Sequence, residues 1–307
     1  MRVTVITGSR ADYGILEWLI KTLQEDAFFN VRILKIWGAD FDKAFRTCTD
    51  SFTAERPDLV MILGDRYEIL AAATAAHLLR VPIAHIAGGD VTEGSYDDAM
   101  RDAISRMASI HFVTSTSAMA RLSHMGYRNV HLVGNPGIDC IRHADWRTSR
   151  PFPEPYVVIS YQPETIDGTD DIVSVIKSLP DLFQVFIYPN ADRGSKKIQR
   201  TIKSHIACNP RRIAYDYLPH AEFLNLLVHC ECFIGNSSAM LYEAPELGIK
   251  TRMIGKRQKG RTIPMGDGMA SVRIVNILKY TLTVQEIREI EKAIGRPEKP
   301  SPLSWDG

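Results

Sequence analysis

No run of apolar residues approaches the ~18 positions that a membrane-spanning helix requires, so a helical membrane protein is excluded. Cysteine is sparse: Cys48, Cys140, Cys208, Cys230 and Cys232 form an odd, scattered set that suits reduced cytosolic thiols better than a disulfide framework. Cys230 and Cys232 have one residue between them and no accompanying Cys-His cluster, a spacing that does not fit a zinc site. Charge of one sign is also lacking. The net value of +1 gives no general attraction to nucleic acid or to anionic lipid. The opening MRVTVITGSRADYG has an apolar run too short for a signal-peptide core and reads as a first strand entering a loop, consistent with a cytoplasmic protein. What is present is ordinary for a globular chain: 45% apolar and 24% charged residues over 307 positions, enough for two domains each with its own core.

Short β-branched runs alternate with stretches of helical period. Strands are predicted at Arg2–Thr7, Val31–Trp37, Leu59–Leu63, Pro82–Ile86, Ile110–Thr114 and His131–Val133, with helices near Ile15–Glu25, Tyr67–Leu79, Asp97–Met107 and Ser115–His124. A compact helix-like segment separates Gly38-Ala39-Asp40 from Pro57. Trp146–Pro155 carries three prolines and no apolar period, a linker pattern. Strands then resume at Tyr156–Ser160, Gln184–Pro189, Arg212–Tyr217, Cys232–Ile234 and Lys250–Ile254, with helices near Asp171–Leu179, Lys196–Ala207, Ala221–Val228 and Met240–Leu247. A last helix opens at Thr283, whose spacing to Glu286 is that of a capping box. Near-continuous apolar strands alternating with helices predict an α/β protein of parallel sheets covered on both faces. The expected units are 1–150, 151–270 and a helical tail, 271–307, packing back toward the first. Ligands of such sheets bind beyond the strand C-termini.

The chemistry-bearing residues cluster in those loops. Gly8-Ser9-Arg10 lies between a strand and a helix, where backbone amides and Arg10 suit an anion, although a plain βα turn explains the same residues. Asp65 ends the third strand, either as a helix cap or as a group at the crevice. Gly88-Gly89-Asp90 through Asp98 puts four carboxylates next to paired glycines, a density that favours acid/base work over a surface turn. Asn236-Ser237-Ser238 opens a segment suited to a diphosphate, and Glu243, nearly two turns into the expected helix, could take both ribose hydroxyls. Gly255-Lys256-Arg257-Gln258-Lys259-Gly260-Arg261 is a cationic, glycine-bounded loop.

Together, GSRADYG, ILGDRYE, HIAGGDVTEGSYDDAMR, VGNPGID, NADRGS, IGNSS with Glu243, and GKRQKGR resemble the hydrolysing UDP-N-acetylglucosamine 2-epimerases, and within them the sialic-acid-pathway branch. The motifs occur in family order over nearly the whole chain. The resemblance implies the GT-B fold: two Rossmann-like domains facing a central cleft. It places Ser237 and Ser238 on the diphosphate of a UDP-sugar, Glu243 on the ribose, and Arg257, with Gln258 and Arg261 in the same loop, near uracil or phosphates. Gly8 and Arg10 would reach the diphosphate from the other half, and Gln162 and Glu164 would lie near the sugar. Asp65, Asp97 and Arg101 fall on positions tied to the chemistry, with Asp90 assisting. That chemistry removes the sugar C2 proton, expels UDP and adds water to the resulting glycal. No cofactor or metal is implied; a homodimer is.

Four positions depart from the family pattern. Ala87 stands where a catalytic Glu is frequent, Gln162 where a His precedes the Pro, Ile15 where Lys is frequent, and Asp102 where His follows the Arg. An amide such as Gln162 exchanges no proton near neutral pH. Because epimerisation needs strong base catalysis, these losses favour, as the first expectation, a UDP-sugar-dependent glycosyltransferase, which needs mainly a stabilised leaving group and an oriented acceptor hydroxyl. A hydrolysing epimerase with a rearranged centre is the alternative, and a catalytically silent nucleotide-sugar sensor the third. The acceptor stays open between a glycan, a small molecule and a modified DNA base. The last rests on Lys196, Lys197, Arg200 and Lys203 along one helix, with Arg193, Arg211 and Arg212 nearby.

Overall fold

The structure, a computed structural model, describes residues 1–164, 172–190 and 194–281. The predicted helix from Thr283 and the basic Arg193 lie outside the described residues. Two all-parallel sheets form the frame, six-stranded and five-stranded. The first contains β1 (Arg2–Thr7), β2 (Asn30–Lys35), β3 (Leu59–Leu63), β4 (Ile83–Ile86), β5 (Ile110–Val113) and β6 (Val130–Leu132), in the order β2-β1-β3-β4-β5-β6. The second contains β7 (Tyr156–Ser160), β8 (Phe183–Ile187), β9 (Arg212–Tyr215), β10 (Cys232–Gly235) and β11 (Thr251–Met253), in the order β11-β10-β7-β8-β9. In each, the strand order reverses beside a central strand, which opens a crevice at the strand C-termini.

Helices α1 (Arg10–Glu25), α2 (Phe41–Ala54), α3 (Tyr67–Leu78), α4 (Asp98–Met107), α5 (Thr116–His124) and α6 (Pro136–His143) accompany the first sheet. Helices α7 (Ile172–Lys177), α8 (Ser195–Ala207), α9 (His220–Val228) and α10 (Glu243–Leu247) accompany the second, and α11 (Ala270–Asn276) leads into a π turn, Ile277–Thr281. Central strands β3, β4, β5 and β7 are buried almost throughout, because helices cover both faces, and this is why their sequences are mostly apolar. Ile274, Val275 and Leu278 join Leu16, Leu19 and Leu23 of α1 in the core of the first sheet, so the chain returns to its first half after leaving the second.

Several elements differ from the sequence expectation. Helix α1 begins at Arg10, five residues earlier than its apolar stripe suggests, because Ser9 and Asp12 form a capping box. Helix α6, where no helix was expected, opens on Pro136 at its first position, where a missing N–H costs nothing. The expected helix Met240–Leu247 is two pieces, a 3₁₀ turn at Ser238–Met240 and α10 from Glu243. No helix among the described residues is long and apolar enough to cross a membrane.

Candidate active site

The carboxylate-rich loop after β4 is built round Arg101. This arginine, on the first turn of α4, is 3% exposed and binds Asp65 through Nη2 and Asp98 Oδ1 through Nη1 at 2.6 Å. Nη1 also donates to the Asp90 carbonyl oxygen at 2.7 Å. Arg121 donates to the same carbonyl at 3.2 Å and pairs with Asp102 at 2.8 Å. Asp102 therefore anchors a cation behind the loop. The Asp98 carboxylate receives the Thr92 N–H on both oxygens at 3.0 Å, and Ser95 donates to Asp97, the residue that caps α4. The guanidiniums of Arg101 and Arg121 pair with Asp65, Asp98 and Asp102, which offsets the repulsion among the acids crowded here.

Asp90 is the exception within that group. It is buried and accepts one hydrogen bond from Thr114 Oγ1 at 2.8 Å. Burial pushes its carboxyl up to about 6, against the pull of the Thr114 bond, Arg101 and Arg261; Asp65 adds to the rise. A carboxyl that changes charge near neutral pH can take or give a proton there. Ala87, at the strand-end position, adopts φ +62 with its N–H held by Phe112 O at 2.9 Å, an uncommon conformation for a residue with a Cβ that turns the chain toward Asp90.

The opposite wall comes from the second half. Asn236 is 0% exposed: its Oδ1 accepts the Gln162 N–H at 2.6 Å and its Nδ2 donates to Gln162 O at 2.8 Å and Glu164 Oε1 at 3.3 Å. Its backbone carbonyl takes Gln258 Nε2 at 2.7 Å. Gln162 in turn accepts Asn190 N–H at 3.0 Å, and Glu164 accepts Lys256 N–H at 3.1 Å. Asn236 and Gln162 thus tie the loops after β7, β8 and β10 together. Gly255, at φ +75, sits where any Cβ would run into Glu164 Oε1. Arg257 donates to Pro163 O at 2.6 Å. Ser237 caps the 3₁₀ turn, and Ser238 opens it. A cavity of about 620 Å³ shares Glu164, Gly255 and Lys256 with this lattice and includes none of Asp65, Asp90 and Asp97.

Glu243 begins α10 rather than lying two turns inside a helix. Its Oε1 is 3.8 Å from His220 Nε2, while its Oε2 and that same Nε2 are buried without a hydrogen-bond partner among the described residues. Buried polar atoms left open in this way suit a polar ligand. In the loop after β1 the backbone amides already have a partner in the chain. The Gly8 and Ser9 amides, expected to face an anion, are taken by Asp12 Oδ2 at 3.1 and 2.9 Å. Desolvation raises that carboxyl to about 6 although Arg66 and the Ser9 bond oppose it. The loop's remaining cation is Arg10, exposed, with its guanidinium 4.7 Å from the Tyr217 ring of the second half.

One strap closes the junction. After Arg261, Thr262 exchanges bonds with Val91, its N–H to Val91 O at 2.8 Å and its Oγ1 accepting Val91 N–H at 2.8 Å. Met265 N–H then reaches Thr114 O at 2.7 Å and its carbonyl takes Asn135 N–H at 2.9 Å. Gly94 N–H bonds Lys259 O at 3.1 Å, and a Cβ at Gly94 would overlap the carbonyls of Lys256 and Arg257. This carries Arg261 to Tyr242, Asp65 and Asp90. Nothing local in the sequence marks Tyr242 or Thr114, since their partners Arg261 and Asp90 lie about twenty positions away along the chain. Of the cations near the basic helix, Arg211 pairs with Glu154 and Asp181, and Arg212 binds His205 O.

Comparison with known proteins agrees with this geometry. Polysialic acid biosynthesis protein P7 of Escherichia coli is 29% identical, over 85% of this chain and 80% of its own length. UDP-N,N'-diacetylbacillosamine 2-epimerase (hydrolyzing) of Legionella pneumophila is also 29% identical, over 85% and 82%. Among solved structures, an S. aureus MnaA-UDP co-structure superposes with a TM-score of 0.74 at 17% identity, covering 98% of this chain and 100% of that one, which bears out two Rossmann-like domains in the GT-B arrangement. Residues 4–263 match the family described as UDP-N-acetylglucosamine 2-epimerase, and the chain belongs to that family.

Proposed function

We propose that this protein is a hydrolysing 2-epimerase of a UDP-linked N-acetylamino sugar, releasing UDP and the free 2-epimer. Residues 1–150 would present the sugar side, 151–270 the uridine side, and 271–307 would belong with the first. The expectation of glycosyl transfer gives way: it rested on missing bases at Ala87 and Gln162, and its relatives by sequence are named as hydrolysing epimerases. The observation that carries the reading is Asp90, a buried carboxyl raised to about 6 beside Asp65, Arg101 and Arg261. It supplies a base that the departures at Ala87 and Gln162 had removed.

In this reading the Asp90 carboxylate takes the C2 proton, and the C–H pair becomes a C1–C2 double bond as the C1–O pair leaves on the β-phosphate. Arg10, Arg257 and the Ser237–Ser238 turn bear the charge that grows on the leaving diphosphate. Glu243 holds the ribose through its open oxygen. Asp65 and Arg101 fix the Asp90 loop, and Asp97 orients the sugar from the start of α4. The test is incubation in D₂O with UDP-N-acetylglucosamine, and in parallel with UDP-N,N'-diacetylbacillosamine, and no acceptor. UDP and a free sugar carrying deuterium at C2 are expected from one of them. UDP release that awaits an added hydroxyl acceptor and leaves C2 unlabelled would return the protein to glycosyl transfer.

A further inference from the structure

We propose that Tyr242 is the acid that delivers the new proton to C2 of the sugar, opposite Asp90, with Arg261 holding the phenolate that results. The proposal rests on the epimerase reading. Inverting a carbon through a planar alkene requires two proton carriers, one to remove and one to return, acting from different sides. Asp90 comes from the first half of the molecule. Ala87 and Gln162 carry no titratable group, so the second carrier has to come from elsewhere.

Tyr242 is the candidate for that second carrier. It immediately precedes Glu243, at the head of α10, on the second half's side of the junction. Its phenol oxygen accepts a hydrogen bond from Arg261 Nε, and the guanidinium lies 5.2 Å from its ring centroid. Among the described residues the phenol donates its own proton to no acceptor. Arg261 feels both Asp65 and Asp90 as well as Tyr242, so one cation spans the two walls. The charged groups facing the phenol are Arg261, Asp90 and Arg101. Burial raises the phenol above its ordinary value, partly offset by Arg261, so it stays protonated at neutral pH while Asp90 is ionised. The base is ready to take a proton and the acid to give one.

The second half of the reaction then balances. Water adds its oxygen to C1 and gives up a proton to solvent, the C1–C2 π pair takes the Tyr242 proton at C2, and the phenolate beside Arg261 regains a proton from solvent. No oxidant or cofactor enters. The same side chain contributes nothing essential to expelling UDP, so its loss should separate the two steps.

The experiment compares parent and Tyr242→Phe in D₂O, measuring UDP, unsaturated sugar and free sugar, with UDP titration and thermal unfolding as controls for folding. For the variant we expect the ratio of free to unsaturated sugar to fall ~10²-fold or more, with UDP still bound. A ratio equal to the parent's overturns the assignment while leaving the epimerase reading intact. A parent that places no deuterium at C2 overturns both. If the Phe variant loses UDP, Tyr242→His decides. A proton carrier at this position should keep the ratio within about tenfold of the parent, and a collapse with UDP bound rejects Tyr242 as the acid.

Discussion

Asp90 ties its electrostatics to a measurable rate. With its ionised form as the base in the proposed mechanism, turnover should rise with pH through about 6 and level off above, the limb reporting the raised carboxyl. Asp90→Asn keeps the shape and the Thr114 contact but cannot take a proton. Steady-state assays should show kcat lower by ~10²–10⁴ and the pH-6 limb gone, with UDP affinity kept. Asn236 makes a contrasting case. Truncation to Ala strands the Gln162 backbone groups inside the protein, so denaturant titration should show a loss of roughly 1–3 kcal/mol. UDP affinity should fall with it.

At the scale of elements, the strap and the loop after β4 are one mechanical unit. Gly94→Ala puts a methyl where the Lys256 and Arg257 carbonyls lie, and neither backbone can yield without parting the Gly94–Lys259 bond. Turnover should drop sharply with only a modest change in thermal midpoint, and proteolysis near residues 256–262 should quicken. The strands and most helices could be read from the sequence, because burial on both faces leaves apolar runs that no other arrangement explains. The breaks could not. Helix α6 starts with Pro136-Gly137, and the stretch before Glu243 divides at Tyr242, where φ −112 and ψ −64 redirect the chain. The first is set by a local cap, Asn135 accepting the Gly137 N–H ahead of a proline that breaks the apolar period, and the second by a backbone kink that no residue pattern announces. The density of acids round Asp90 was visible locally, whereas the Asn236–Gln162–Glu164 lattice joins residues more than seventy positions apart and leaves no local trace.

For the molecule as a whole, acid acts in two directions. His85 and His111 are buried and neutral, driven down to about 3 and about 4 chiefly by desolvation. Their folded values lie below the unfolded 6.5, so their stability contribution is complete above that pH and is lost as pH falls toward the folded values. Asp12 and Asp90 are raised to about 6, above the unfolded carboxylate value, so they cost stability at neutral pH and relieve it on protonation. The two effects oppose each other between pH 6.5 and 5. Asp12→Asn removes one of the compensating carboxyls, and unfolding midpoints measured across that window should fall more steeply for the variant than for the parent. The strap also has a consequence for how products depart. Arg257 bonds the loop after β7, and Thr262 bonds Val91 in the loop that carries Asp90, with only four residues joining them. Separating the two halves must therefore unzip one attachment before the other, and in the proposed reaction whichever yields first would set the order in which nucleotide and free sugar leave.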